Sequence, residues 1–372
     1  MRFSLGVAAL ALALSLLPVG CASPPDGGEM DRTLTVIDYN LWHGLNPVGL
    51  LKFDEFETPA ERELRLEGFL AQARALQPDL IFLQEVNPVP GLSARIADEL
   101  GMQRVFQVGN SGIKIGSLGP PINLRSGLAI LAAPQLHLEK LDGCKLSGST
   151  GRCGPWLSIQ TGEFRYALVA RVEINGRELM LINTHLHHGM EIDQQVRQGL
   201  DELVDKGTIT REQADAALAE VALASQRRRS EIERALDCAA DAGLDQSTPV
   251  LFAGDFNASP DAPELTWLKS HLGFASVTDD SDPQNLLYTW DPQRNSNTLF
   301  VSDFKPPSDG EGLIFAHLGQ TLVHQRRRLD YIFTRSTGSL LEPRESGLFA
   351  DQPRNGTMSS DHFGVFAKFE IK

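Results

Sequence analysis

The sequence of 372 residues predicts a single mixed α/β domain over residues 31–372, on three observations. Short apolar runs recur from residue 33 to the C-terminus, and most are the unbroken Val/Ile/Leu/Phe stretches of strands buried on both faces. Helix-start signals stand between some of these runs. Neither an internal repeat nor a second linker breaks the pattern, and a composition of 42% hydrophobic and 22% charged residues is enough for a large core.

The first thirty residues read differently. Arg2 precedes an apolar stretch from Leu5 to Leu17, interrupted by Gly6 and Ser15, which is too short to span a bilayer comfortably. Residues 1–20 are therefore expected to be a signal peptide. Gly20 before Cys21 resembles a bacterial lipoprotein processing site, although Pro18 stands where Leu is usual. The expectation is an exported protein of the bacterial cell envelope, lipid-anchored at Cys21, with residues 21–30 as a polar tether.

Strands are expected at Leu34–Tyr39, Leu80–Leu83, Gly127–Ala132, Ala167–Ile174, Glu178–Thr184, Pro249–Ala253, Leu329–Thr334 and Phe363–Phe369. Thr58-Pro59-Ala60-Glu61 is a capping box with Pro at the first helical position, opening a helix to about Leu76. Thr210-Arg211-Glu212-Gln213 opens a second, in an Ala-rich helical insertion over residues 190–245. In an oxidising compartment Cys144 and Cys153, which flank a Gly/Ser-rich loop, are expected to form a disulfide, with Cys238 a buried thiol. A formal charge of −14 argues against a broad cationic surface for nucleic acid, and the sequence holds no CxxC or HxxxH pair for zinc.

Polar residues stand where the apolar runs end. Asn40 ends the first run, Gln84-Glu85 the second, and His185 follows Thr184. Pro249–Ala253 leads into Gly254-Asp255-Phe256-Asn257, Asp330 lies inside Arg328-Leu329-Asp330-Tyr331, and Asp361-His362 precede the last run. Strand ends are where a rigid sheet aims side chains from distant positions at one point. An isolated carboxylate such as Asp330 in an apolar strand is costly unless paired.

The ordered strings VIDYN, PDLIFLQEV, SGLAIL, LINTHL, GDFN, RRLDYIF and SSDHFGV resemble the endonuclease/exonuclease/phosphatase superfamily across nearly the whole mature chain. That resemblance implies a four-layer α/β sandwich, two central sheets packed face to face between helices, and a metal-dependent phosphodiesterase. It implies Mg²⁺, or Mn²⁺, held by the hard oxygen of Glu85, with Asn40 near the ion or the phosphate and Asp361 as an auxiliary carboxylate. Asp255 would orient or deprotonate water, and Asn257 would hydrogen-bond the phosphate. His362 would be general acid or base, oriented by Asp330, and His185 would contact phosphate or protonate the leaving group. Residues 123–127 lack the acidic residue that several relatives place before the Gly-x-Ala-Ile-Leu strand, which weakens the proton-donor role of His185.

Two substrate classes follow. The string Thr289-Trp290-Asp291-Pro292, with Asn295 and Asn297, resembles bacterial neutral sphingomyelinases and implies a lipid phosphodiester, with Trp290 and Asn295 as substrate contacts. Arg328, in the basic run Arg326-Arg327-Arg328 beside Asp330, is the candidate for binding phosphate in either reading. The segment from Leu299 to Phe315 is apolar at both ends and reads as a lid or an interfacial contact; the enzyme is expected to be a monomer. The alternative is a nuclease acting on DNA or nucleotides. The run Arg227-Arg228-Arg229, followed by Glu231 and Glu233, reads as a solvated, salt-bridged helix face instead of a DNA grip. An inactive binding module is disfavoured by the completeness of the set.

Overall fold

Unbroken apolar runs become the interiors of two six-stranded sheets. The computed structural model describes residues 33–148, 150–154, 156–278, 287–298, 314, 318–319, 324–335 and 340–372. The first sheet contains β1 (Thr33–Asn40), β2 (Leu80–Val86), β3 (Gln103–Asn110) and β4 (Ser126–Ala132). The second contains β5 (Glu139–Gly148), β6 (Phe164–Ile174), β7 (Arg177–His185), β8 (Val250–Asp255), β9 (Ala275–Ser276) and β10 (Asp330–Arg335). β11 (Leu341–Phe349) and β12 (Gly364–Ile371) return to the first. The strand orders are β11-β12-β1-β2-β4-β3 and β9-β10-β8-β7-β6-β5.

Each sheet is built around one parallel pair, β1/β2 and β7/β8, with antiparallel strands on both sides. A parallel pair sends both C-terminal ends to the same edge. Those ends are Asn40, Glu85, His185 and Asp255. The antiparallel neighbours β10 and β12 start at that edge, so Asp330 lies opposite Asp255 and His362 precedes β12.

Helices cover the outer faces. α1 (Pro59–Leu76) starts at the expected capping box, with Thr58 and Glu61 satisfying each other's backbone N–H, and α2 (Val89–Leu100) packs beside it on the first sheet. α3 (Gln194–Asp205) and α4 (Arg211–Asp241) form the insertion, α4 capped by Thr210 and Gln213 as expected. α4 and α5 (Pro263–Leu272) contact each other, and α4 lies on the second sheet. The result is the four-layer α/β sandwich.

Alternation within the strands decides which side chains meet between the sheets. Tyr39 stacks on Phe69 of α1 at 5.5 Å, so Asp38 and Asn40 face the second sheet. Met180, Ile182, Val250 and Phe252 join the core under α4, which turns Asn183, His185 and Asp255 toward the first sheet. Polar groups meet there across the interface. Gln84 donates to Asp38 at 2.8 Å and Asn183 at 2.9 Å, and Asn183 donates to the Leu83 and Ala129 carbonyls.

Two sequence expectations are corrected. The disulfide joins Cys144 to Cys238, with Cα atoms 6.3 Å apart, and Cys153 is a buried free thiol beside Gln160. Cys144 shares the face of Leu146 on β5, against the core under α4, so the helix presents its partner and nearness in sequence does not. The Arg227–Arg229 run does not share a face, because successive helical residues diverge by about 100°. Arg229 stays outside and pairs with Glu233, but Arg228 is fully buried on Glu264, and Glu231 is buried on Ser147 and the His187 N–H. Residues 299–313 and 315 of the expected lid lie outside the described residues; Ile314 packs with the α3–α4 apolar cluster.

Candidate active site

Glu85 follows Gln84, which faces inward, so strict alternation would send Glu85 out to the helix layer. The register of β2 against β4 shifts between Leu83 and Val86, and Glu85 takes a left-handed φ of 53°. The bulge turns its carboxylate back to the sheet edge. Asn257 and Trp42, at φ 50° and 55°, are held in the same sparsely populated region.

At that edge the side chains form one chain of contacts. Asn40 Nδ2 donates to Glu85 Oε1 at 3.3 Å and to Asp255 Oδ2 at 3.1 Å. His185 Nε2 stands 3.5 Å from Asp255 Oδ2, and its Nδ1 is 4.0 Å from Glu85 Oε1. His362 Nδ1 donates to Asp330 Oδ2 at 2.8 Å, leaving Nε2 3.9 Å from Asp255 Oδ2. Asp255 Oδ1 accepts the Asn257 N–H at 2.9 Å, and the Asn257 amide donates to the Leu186 carbonyl. The Ser360 hydroxyl donates to the Asn40 carbonyl at 2.7 Å and lies 3.1 Å from Asp361, tying Asp361-His362 to the end of β1.

Asn40 stands between the two carboxylates. Its Oδ1 accepts the Trp42 N–H at 3.0 Å, so the amide turns NH₂ toward Glu85 and Asp255 and braces both.

Crowding of acids and imidazoles sets the charges. Burial and the Asp330 carboxylate push Asp255 up to about 7, and burial, with Glu85 adding to it, pushes Asp361 up to about 6. Burial works to raise Glu85 too, but the His43 and His185 imidazoles and the His43 N–H hold it below the usual carboxylate range. Burial holds His185 well below an ordinary imidazole, helped by Arg165. For His362 burial is overcome by Asp330, which raises it well above the ordinary value.

These residues suit a hard divalent cation. Glu85 is ionised and partly exposed at the edge, Asp361 and Asp255 supply further carboxylates, and the two latter hold raised pKa values that a cation would relieve. Asp255, Asp330 and His362 also offer donor atoms within 4.8 Å of one another, and Asp330 Oδ1 is buried without a partner.

Three expected substrate contacts divide. Trp290 meets the His362 ring edge to face at 5.3 Å and belongs to the site. Asn295 does not reach out, because it is buried and spends its amide on the Ser360 carbonyl at 2.9 Å. Arg328 is also buried, donating to the Leu287 carbonyl and the Thr278 hydroxyl, since the start of β10 turns it into the protein. Both are corrected to buttresses of the site.

Sequence reasoning missed His43, whose N–H donates to Glu85 Oε2 at 3.0 Å and whose Nε2 lies 3.5 Å from the same oxygen. A polar residue just past the end of an apolar strand was the available signal. It also missed buried Arg65, which binds Glu57 and the carbonyls of Leu41, Trp42 and Ser359, fixing both loops at the edge. Asp38 answers to the argument used for Asp330: it is a carboxylate in a buried strand, and burial raises its pKa well above the carboxylate range.

No curated protein matches this chain at a significant level. D. rerio TDP2 complexed with single strand DNA product is 19% identical with a TM-score of 0.55, the match covering 91% of this chain and 99% of that one. The human Nocturnin catalytic domain with bound sulfate anion is 16% identical with a TM-score of 0.51, over 91% and 94%. An endonuclease/exonuclease/phosphatase family protein from Bacteroides thetaiotaomicron is 16% identical with a TM-score of 0.54, over 91% and 95%. At these identities the likeness shows the fold. The model of the Endonuclease/Exonuclease/phosphatase family matches residues 39–362, and the chain, with its acid–imidazole edge, belongs to that family of metal-dependent phosphoester hydrolases.

Proposed function

We propose that the enzyme hydrolyses a lipid phosphodiester by direct attack of water, in the manner of a sphingomyelinase-like phospholipase C. The carrying observation is that a cavity of about 680 Å³, lined largely by apolar side chains, opens at His43, beside Glu85. A phosphate at the edge would then have an apolar space beside it for alkyl chains.

Glu85 and Asp361 would hold Mg²⁺ or Mn²⁺, which when bound drains charge from a non-bridging phosphate oxygen. Asp255 is positioned to take a proton from the attacking water, with Asn40 and the Asn257 N–H fixing both of its oxygens. His362, its Nδ1–H held by Asp330, presents Nε2–H to the leaving oxygen. As the water oxygen bonds to phosphorus, the bond to the leaving alkoxide breaks and the His362 proton passes to that alkoxide. His185 hydrogen-bonds the phosphoryl group as a neutral imidazole. Held by burial well below an ordinary imidazole, it suits that role better than proton donation. The sequence-based reading of an exported, Cys21-anchored, monomeric protein accords with a membrane-derived substrate.

A nuclease is the second reading, favoured by the D. rerio TDP2 fold complexed with single strand DNA product. Both readings require turnover of bis-p-nitrophenyl phosphate with Mg²⁺ and loss of it in chelator. Glu85→Ala and His362→Ala should each lose about 10²-fold or more in kcat. Mg²⁺ should raise the melting temperature of the wild type but not of Glu85→Ala, a readout independent of turnover. Sphingomyelin vesicles and plasmid DNA assayed side by side separate the substrates: cut DNA with intact lipid overturns the lipid reading.

A further inference from the structure

Among the described residues, the exposed large hydrophobic side chains are concentrated on one face. All but Leu64, Ile192 and Leu223 come from residues 48–51, 113–122 and 156–159. The segments are joined by backbone hydrogen bonds. Ile122 N–H donates to the Leu51 carbonyl at 2.8 Å, Gly116 N–H to the Trp156 carbonyl at 2.6 Å, and Ile115 pairs with Leu157 in a small sheet. Leu50, Leu51, Ile113, Ile115, Leu118 and Trp156 are each more than half exposed. A contiguous apolar face of this kind marks an interaction site.

Two observations select its occupant. The face is continuous with the candidate active site, because Leu50 and Ile113 line the same cavity as His43. Its segments are also poorer in acids than the chain. Residues 45–53, 111–125 and 150–162 contain no Asp or Glu, whereas the whole sequence has 48 acidic and 34 basic residues. Lys114 is buried on the Gly119 and Pro121 carbonyls, Lys52 pairs with Glu55, Arg152 is exposed, and Glu163 stands at the cavity. Apolar tips, an exposed Trp and the surface cations Lys52 and Arg152 complement the phosphate and acyl layers of a bilayer. A nucleic acid would call for more cations and fewer exposed aliphatic groups.

We propose that this face seats the enzyme on a phospholipid bilayer, so that a lipid passes its chains into the cavity and its phosphate to the Glu85 edge. The inference rests on the lipid-substrate reading and extends it to how the substrate is reached. Trp156 is the reporter, since Trp42 is buried and Trp267 and Trp290 are half-buried.

The test uses the full chain with vesicles of sphingomyelin and phosphatidylcholine. Trp156 emission, taken as the difference between wild type and Trp156→Phe, should move to shorter wavelength on adding vesicles and be quenched by brominated acyl chains. Leu51→Ser with Leu118→Ser should cut turnover of vesicle lipid about tenfold and leave bis-p-nitrophenyl phosphate turnover unchanged. Cleaved lipid with unmoved Trp156 emission, or a double variant as active as wild type on vesicles, overturns the docking face and leaves the lipid reading standing. Shifted emission with intact lipid supports the face and overturns the substrate. Trp156 shielded from aqueous quencher before vesicles are added, or a dimer lost in the double variant, would show the face covered by the chain itself or a second copy and overturn the proposal.

Discussion

Asp255 illustrates how this site holds its residues at a cost to the fold. Its carboxyl, raised to about 7 by burial and by Asp330, stays protonated in the folded metal-free protein where the unfolded chain has released its proton. Asp361, raised to about 6, behaves alike. A raised folded pKa contributes stability that is complete below the unfolded value of about 4 and is lost as pH rises through the folded value. His362, also raised, has the same sign over a window beginning near its unfolded value of about 6.5. In chelator these carboxyls work to lower the melting temperature between about pH 4 and about pH 7, while His185 and His187, depressed by burial, work in the opposite direction below about 6.5. The fall due to Asp255 is therefore read as the difference between wild type and Asp255→Asn. Asp255→Asn should flatten that fall and melt above wild type at pH 8 while turnover collapses. Thermal melts across pH check this, and a variant less stable than wild type at pH 8 would contradict the charge account. Asn40, Asp255 and Asp330 were legible in the sequence as polar residues at strand ends. The orientation of the Asn40 amide was not, because it depends on one N–H, that of Trp42, in the following loop.

Among the elements, all eight strands expected from the sequence occupy the interiors of the two sheets. The strands it missed in those sheets, β3, β5, β9 and β11, are the four edges. Interior strands are covered on both faces and must be continuously apolar, whereas edge strands have mixed exposure that resembles loops. α2 and α5 were missed as well, though each has Pro in its first turn and Gly101 or Gly273 in a left-handed C-cap. The basic run in α4 was misread because charge alone does not show that Arg228 would find Glu264 of α5. Both partners are fully buried, with Nε 2.5 Å from Oε1 and the Gly189 carbonyl nearby. Removing one partner strands a buried charge, so Arg228→Ala should cost about 3–5 kcal/mol in urea denaturation. Arg228→Met with Glu264→Leu should recover much of it. Equal losses in the single and double variants would mean that packing, and not the ion pair, is at stake.

For the whole molecule, the Cys144–Cys238 bond ties β5 of the second sheet to α4 across a separation of 94 residues. Closing so long a loop restricts the unfolded chain, so reduction should cost about 2–4 kcal/mol. Cys153→Ser should leave both the disulfide and that loss intact, whereas Cys238→Ser should abolish them. Mass mapping of peptides under non-reducing conditions, with melts in reductant, decides; a peptide linking Cys144 to Cys153 would refute the pairing.

The order of short motifs was enough, by itself, to determine the family, the sandwich and most residues of the candidate site, because buried strands and their polar ends repeat a local pattern that one dimension records. Tertiary structure alone decided what depends on partners far along the chain: the bulge that turns Glu85 inward, the approach of His43, the spending of Asn295 and Arg328 on the backbone or a buried hydroxyl, the choice of Cys238 over Cys153, and the gathering of three apolar loops beside one cavity. Each is set by which surfaces pack together, and side-chain direction at those points follows packing instead of sequence periodicity.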